Sequence, residues 1–83
     1  MSVVVENTPN PRAMKFTMGV PVGGPATYTD ATAADPRVAA VFSVSGVQSL
    51  FMTGDFVTVT RSDDGNWETI VPQVVAILEE SFT

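Results

Sequence analysis

The chain has 83 residues, enough for one domain and no more. Hydrophobic residues make up 45% of it, above the level of a disordered segment, so we expect it to fold around a compact core. Nine acidic and four basic residues give a net charge of −5, and the basic residues are scattered along the chain. Phosphate binding needs clustered Lys and Arg, so this balance argues against nucleic acids and anionic membrane surfaces as partners.

Two residue types that carry much of protein chemistry are missing: the chain has no cysteine and no histidine. Disulfides, thiolate-held iron–sulfur clusters and ordinary zinc sites all need one or both of them. A serine nucleophile would lack a histidine base, and Lys15 is the sole lysine. We therefore predict a protein that is not an enzyme, with no catalytic residue, no metal ligand and no cofactor.

The hydropathy pattern favours a cytoplasmic protein without a membrane partner. No apolar run approaches the roughly 20 residues that a membrane-spanning helix needs. The segment 1–6 has neither the basic start nor the long apolar centre of a secretory signal.

The first half of the chain reads as short strands separated by stiff loops. Val3–Val5 is β-branched and predicts a strand, and 7–11 is dense in turn formers with two prolines. Apolar residues then alternate with others along 13–18, which predicts a half-buried strand. The connection 19–25 is rich in Gly and Pro, and 26–29 is predicted to be a short edge strand.

A helix is predicted next, at about 36–44. Asp35 is a good N-cap, and Pro36 suits the first helical position because its missing N–H would be unpaired there. Apolar residues follow at helical spacing. Gly46 lies where a glycine with positive φ can end the helix.

Two strands, 47–52 and 56–61, are predicted to form a hairpin. A three-residue loop of Thr53, Gly54 and Asp55 would place one set of side chains in the core: Val47, Phe51, Val57 and Val59. The opposite face would then carry Leu50, Met52, Phe56, Thr58 and Thr60. A two-residue loop would reverse the partnership, and that alternative stays open.

The chain closes with a second predicted helix, capped by Asn66 and starting at Trp67. Its apolar residues recur at helical spacing as far as Phe82, with Pro72 inside the pattern, so either the first turn is irregular or the helix bends. The whole order predicts a single α+β domain over 1–83. It is a two-layer structure, with a mostly antiparallel sheet of four to five strands covered on one face by two helices.

Such a sheet leaves its other face open to solvent. In the predicted register, Leu50, Met52 and Phe56 share that face, as a binding surface or as a patch covered by the N-terminal strand or a long loop. The loop 8–12 likewise has two readings: a turn that sets strand register, or a recognition loop presented by a rigid scaffold.

One cluster offers oxygen ligands that a hard metal ion could use: Asp63, Asp64, Asn66 and Glu68. A calcium loop needs ligands at alternating positions and a closing glutamate, and this spacing does not supply them. Helix capping by Asn66 explains the cluster without an ion.

Three segments together resemble one family. Residues 8–16, Thr-Pro-Asn-Pro-Arg-Ala-Met-Lys-Phe, resemble the TPNPxxxKF signature of the N-terminal domain of Nfu/NifU-type iron–sulfur scaffold proteins. Residues 44–51 followed by 55–60 are similar to its GVxSxF and DFxTVT hairpin. Trp67 and Pro72 match its W-x-x-x-x-P helix.

This resemblance implies a two-layer α+β domain connected with iron–sulfur cluster maturation. In full-length Nfu proteins a separate C-terminal domain holds the cluster through a C-x-x-C pair, whereas this sequence has no cysteine to hold one. What carries over is a non-catalytic accessory or protein-binding role, with a cysteine-bearing cluster carrier as an implied partner. The matching positions that we expect to bind the partner are Asn10, Arg12, Lys15 and Phe56.

Two alternatives remain beside that role. One is an iron-binding protein that uses carboxylate ligands from Asp63, Asp64 and Glu68. The other is an orphan structural domain with no separate task.

Overall fold

A computed structural model describes residues 3–82, so Met1, Ser2 and Thr83 lie outside the description, and with them the start of the segment tested for a secretory signal. The chain alternates short strands with turns and ends in one long helix. Its elements are β1 (Val4–Asn7), β2 (Ala13–Thr17), β3 (Ala26–Tyr28), a 3₁₀ helix (Ala39–Ser43), β4 (Val47–Thr53), β5 (Phe56–Arg61) and α1 (Trp67–Ser81).

The five strands form one sheet in the order β1-β2-β5-β4-β3, and every neighbouring pair is antiparallel. The last strand of the chain is therefore the central one. Both edges are short, with four residues in β1 and three in β3. The predicted α+β class, the antiparallel sheet and the edge position of β3 are confirmed.

Helix α1 lies against one face of this sheet. The side chain of Asn66 accepts a 2.9 Å hydrogen bond from the Glu68 N–H, as predicted for the N-cap. Ile70, Val74 and Leu78 follow at steps of four and are fully buried against the sheet. The helix runs without interruption through Pro72, which is exposed.

The helix predicted at about 36–44 is shorter than expected and is not an α-helix, because the segment forms a 3₁₀ helix of five residues, Ala39–Ser43. Val41 N–H donates to the Val38 carbonyl and Val44 N–H to the Val41 carbonyl, each three residues back. The Asp35 carboxylate does not cap an α-helix, because it accepts a hydrogen bond from the Arg37 N–H within a local turn. One α-helix and one 3₁₀ turn thus cover the sheet, instead of two helices.

The three-residue loop predicted for the β4–β5 hairpin is also wrong. Thr53 pairs with Phe56, which leaves Gly54 and Asp55 as a two-residue loop. Gly54 has φ of +57° and Asp55 does not have positive φ, the arrangement of a type II′ turn. This register turns Leu50 and Met52 into the core and Phe51 to solvent, while Val57 and Val59 are buried as predicted.

The core fills the space between the sheet and α1, and its members are Phe16, Met18, Val22, Val38, Val41, Val44, Leu50, Met52, Val57, Val59, Ile70, Val74 and Leu78. Burying side chains of this size contributes about 1.5–3 kcal/mol each before entropy is counted. Met18 and Val22 anchor the β2–β3 connection, whose backbone N–H groups donate to the carbonyls of Asp55 and Gly54. The connection is thereby held against the tip of the β4–β5 hairpin.

Candidate functional site

The sheet has an open face, opposite α1, on which side chains from all five strands meet. The register sets the membership, since residues paired across neighbouring strands point to the same side. We use the name open face for Val4, Glu6, Lys15, Thr17, Thr27, Phe51, Thr53, Phe56 and Thr58. Its side chains are therefore mostly polar, with one lysine, one glutamate and two phenylalanines.

Lys15 occupies a defined position on this face. Its Nζ lies 4.5 Å from the centre of the Phe56 ring, a cation–π contact between neighbouring strands. Glu6 stands directly across from Lys15 on β1. Among residues 3–82, however, the ion pairs are Arg12 with Asp63 and Arg37 with Asp35. The ammonium of Lys15 is thus placed over an aromatic ring and not neutralised by a carboxylate.

Two apolar side chains make the open face a candidate docking surface. Phe51 is 37% exposed and Val4 is 53% exposed, the large hydrophobic residues most open to solvent in the described chain. Sequence reasoning missed both as surface residues. The signal that would have revealed Phe51 is the Gly54-Asp55 pair, because glycine at the first position favours a two-residue hairpin loop.

The loop 8–12 is held by hydrogen bonds within itself and to the start of β2. Thr8 Oγ1 lies 2.8 Å from the Asn10 carbonyl oxygen and 3.0 Å from that of Ala13. Asn10 Oδ1 accepts a 2.9 Å hydrogen bond from the Arg12 N–H. The Asn10 side chain therefore stabilises the conformation of the loop.

The same loop is tied to the start of α1. Arg12 Nη2 lies 2.7 Å from Asp63 Oδ1, although the Asp63 side chain is 89% exposed, so this pair is worth little. Trp67 Nε1 donates a 3.0 Å hydrogen bond to the Pro11 carbonyl. We name this group the loop–helix corner: Pro11, Arg12, Asp63 and Trp67.

The four predicted partner-binding residues separate into two pairs. Lys15 and Phe56 meet on the open face, whereas Asn10 and Arg12 belong to the loop 8–12. Arg12 lies just before β2, and its guanidinium contacts Asp63, near the start of α1. The predicted surface is therefore two surfaces.

Within the described residues, the N-terminal strand does not cover the open face. β1 continues the sheet in its own plane beside β2 and does not lie across it. Of the three residues predicted to share the open side, Leu50 and Met52 are buried in the core and Phe56 is half-buried on the open face.

The carboxylates of the iron-binding alternative do not converge on one point. Asp63 contacts Arg12, and Asp64 accepts a 2.6 Å hydrogen bond from the Ser62 hydroxyl, which lowers the pKa of the Asp64 carboxyl below its ordinary value. Within 3–82 there is no group of three or more carboxylates placed to hold a metal ion. The geometry therefore does not favour the iron-binding alternative.

The surface formed by residues 3–82 contains no detectable cavity. None of the helices in that range has the length and apolar content to cross a membrane.

Known proteins similar to this chain include iron–sulfur cluster scaffold homologs and NifU-like proteins. A mitochondrial NFU1 iron–sulfur cluster scaffold homolog of Drosophila virilis is 34% identical over 87 residues, covering 99% of this chain and 29% of that protein. The mitochondrial NifU-like protein 5 of Arabidopsis thaliana is also 34% identical, covering 100% of this chain and 32% of that protein. The chain thus spans about a third of the length of these relatives.

Solved structures agree with the fold. The crystal structure of the Staphylococcus aureus protein SAV1430 matches with a TM-score of 0.82 and 34% identity, covering 93% of this chain and 98% of that one. The solution structure of SeR13 from Staphylococcus epidermidis matches with a TM-score of 0.65 and 27% identity, covering 98% of each chain. The family described as scaffold protein Nfu/NifU, N terminal, matches residues 3–83. On that match the chain belongs to the Nfu/NifU N-terminal family.

Proposed function

We propose that this chain is a non-catalytic accessory module that binds a protein partner in iron–sulfur cluster assembly or delivery. The observation that carries the proposal is the open face, where Lys15 lies over Phe56 beside the exposed Phe51. The names of the relatives, which describe cluster scaffolds, support the choice of process. A cysteine-bearing cluster carrier is the partner class that we favour, since this chain has no cysteine of its own.

The chemistry of the face suits a protein surface. Phe51 and Val4 supply apolar area, and Thr27, Thr53 and Thr58 on the same face supply hydroxyl groups for hydrogen bonds. Burying the ammonium of Lys15 would be costly unless the partner offers an oxygen acceptor. We therefore expect the partner to place a carboxylate or carbonyl oxygen against Lys15.

The test is affinity capture of the tagged protein from its native lysate with mild crosslinking, followed by titration of the purified captured protein. Lys15→Ala and Phe56→Ser alter the open face, while Arg12→Ala alters the loop–helix corner. Gln73→Ala changes an exposed residue of α1 and is the matched control. We expect the open-face variants to weaken binding about tenfold, the loss typical of one important contact residue, and the control to leave it unchanged.

The variants also separate the two surfaces. Loss with Arg12→Ala alone would move the binding site to the loop–helix corner and preserve the accessory role. Unchanged binding with all three variants would refute both surfaces, and a captured protein without any link to iron–sulfur clusters would refute the proposed process.

A further inference from the structure

We propose that the open face also pairs with a second copy of itself, forming a weak two-fold homodimer. This goes beyond the proposed function, because it concerns the isolated protein and needs no foreign partner. A dimer of this kind would occupy the surface that the proposed partner uses, so the two contacts would compete.

The distribution of charge selects this face. Each molecule carries a net charge of −5, so most approaches of two copies are repulsive. On the open face Glu6 and Lys15 are paired in register on neighbouring strands, so their opposite charges sum to zero although the described residues 3–82 show no ion pair between them. The other eight acidic residues lie in the loops, in the turns and on α1. The open face is thus the broad surface on which two copies meet without net repulsion.

The apolar groups favour burial of the same face. Phe51 and Val4 are exposed. In a two-fold dimer the same patch of both molecules is buried, so each of these side chains leaves water in both copies. The Lys15 ammonium already rests on the Phe56 ring, which reduces the hydrated surface that it loses on contact.

The size of the molecule limits the area of the interface, and with it the affinity of the dimer. Its extents are 30 × 26 × 22 Å, so a flat face reaches at most about 30 by 26 Å, roughly the 800 Å² per partner of a standard interface. A face with two exposed apolar side chains falls short of that standard. We expect a Kd between about 10 µM and 1 mM, the range of a weak contact.

The experiment is sedimentation equilibrium of the purified full chain from about 10 µM to about 1 mM, with amide NMR spectra over the same range. We expect the weight-average mass to rise with concentration, and concentration-dependent shifts at Lys15, Phe51, Phe56 and Thr58. Raising NaCl from about 20 to about 300 mM should tighten the dimer several-fold, because salt screens the repulsion between two acidic molecules.

Two variants with the same net charge isolate the face. Phe51→Glu adds a carboxylate on the open face, and Gln73→Glu adds one on the exposed side of α1. We expect the first to weaken dimerisation at least tenfold and the second less than twofold. Far-UV circular dichroism and the dispersion of the NMR spectrum check that both variants are folded.

Three results would overturn the proposal. A monomeric mass at 1 mM in high salt excludes the homodimer and leaves the face to a foreign partner. Concentration-dependent shifts confined to the outer backbone of β1 would assign the contact to edge-to-edge strand pairing. Equal weakening of dimerisation by Phe51→Glu and Gln73→Glu would show that the association depends on net charge and not on the open face.

Discussion

The guanidinium group of Arg37 joins three segments that are far apart in sequence. Its Nη2 donates a 2.7 Å hydrogen bond to the Val22 carbonyl in the β2–β3 connection. Nε and Nη2 also donate to the two carboxylate oxygens of Asp35, at 3.1 and 2.9 Å. The same group lies 4.9 Å from the centre of the Phe82 ring, at the end of α1. A half-exposed residue thus connects a loop, the 3₁₀ segment and the C-terminal turn.

Replacing this residue should destabilise the fold. We expect Arg37→Ala to lower the free energy of unfolding by about 1–2 kcal/mol, from the lost hydrogen bond, ion pair and cation–π contact. Arg37→Lys keeps the charge but loses the two-pronged geometry, so it should fall between wild type and Arg37→Ala. Urea unfolding at pH 7 measures all three proteins, and equal midpoints would contradict the role.

The same contact predicts a pH dependence. The hydrogen bonds from Arg37 lower the pKa of the Asp35 carboxyl in the folded state. Its contribution to stability is therefore complete above the ordinary carboxyl pKa of about 4 and is lost as the pH falls through the lowered value. The difference between wild type and Arg37→Ala should shrink between pH 5 and pH 2, and a constant difference would show that Asp35 contributes nothing.

At the scale of the elements, the β4–β5 hairpin is the part whose register decides which residues are on the surface. Leu50 is fully buried and pairs with Val59, while Phe51 on the same strand faces solvent. A shift of one residue would exchange the two sets. The two-residue loop of Gly54 and Asp55 selects the observed register.

Alanine substitutions test this register directly. We expect Leu50→Ala to lower the free energy of unfolding by about 2–4 kcal/mol, because it leaves a cavity in the core. Phe51→Ala should cost less than about 1 kcal/mol, since the ring is on the open face. Chemical denaturation compares the pair, and a larger loss at Phe51 would indicate the other register.

Much of this architecture could be predicted from the sequence, and the failures have physical causes. Asn66 and the apolar spacing after it predicted α1, because capping and burial agree there. Leu50, Phe51 and Met52 are all apolar, so alternation alone could not say which of them is buried. The Asp35 carboxylate accepts a hydrogen bond within a tight turn instead of capping an α-helix. Local propensity does not distinguish these two roles of an aspartate. The fold class depended on many such signals together and was robust to both errors.

The candidate site was less accessible to sequence reasoning. Lys15 and Phe56 were chosen through the family resemblance, and their contact depends on pairing between strands about 40 residues apart. Asn10 and Arg12 were chosen through the same resemblance, which does not say on which surface a matching residue lies. Arg12 lies in the turn before β2, where strand alternation does not apply, and its position depends on the tertiary contact with Asp63.

At the scale of the whole molecule, the position of a charge matters as much as the total of −5. Helix α1 carries Glu68 in its first turn and no basic residue in its last turn, where Glu79 and Glu80 lie. The helix dipole favours acidic groups at the start and disfavours them at the end. Glu68 is therefore expected to stabilise the helix, whereas Glu79 and Glu80 are expected to destabilise it.

Two substitutions with identical effects on net charge should consequently have opposite effects on stability. We expect Glu80→Gln to raise the free energy of unfolding, and Glu68→Gln to lower it, each by about 0.3–1 kcal/mol at low salt. Thermal unfolding at about 20 mM and 500 mM NaCl measures both, and salt should diminish the two effects. Changes of the same sign would mean that net charge alone governs stability.

The single tryptophan of the chain stands at the loop–helix corner, where its indole N–H donates to the Pro11 carbonyl. All tryptophan emission from this protein therefore originates at one known place, beside the loop 8–12 and away from the open face. A ligand that engages the loop will change the polarity around the indole and shift its emission, whereas one that docks on the sheet will leave the spectrum almost constant. The protein carries its own optical probe for telling these two modes of binding apart, without any label.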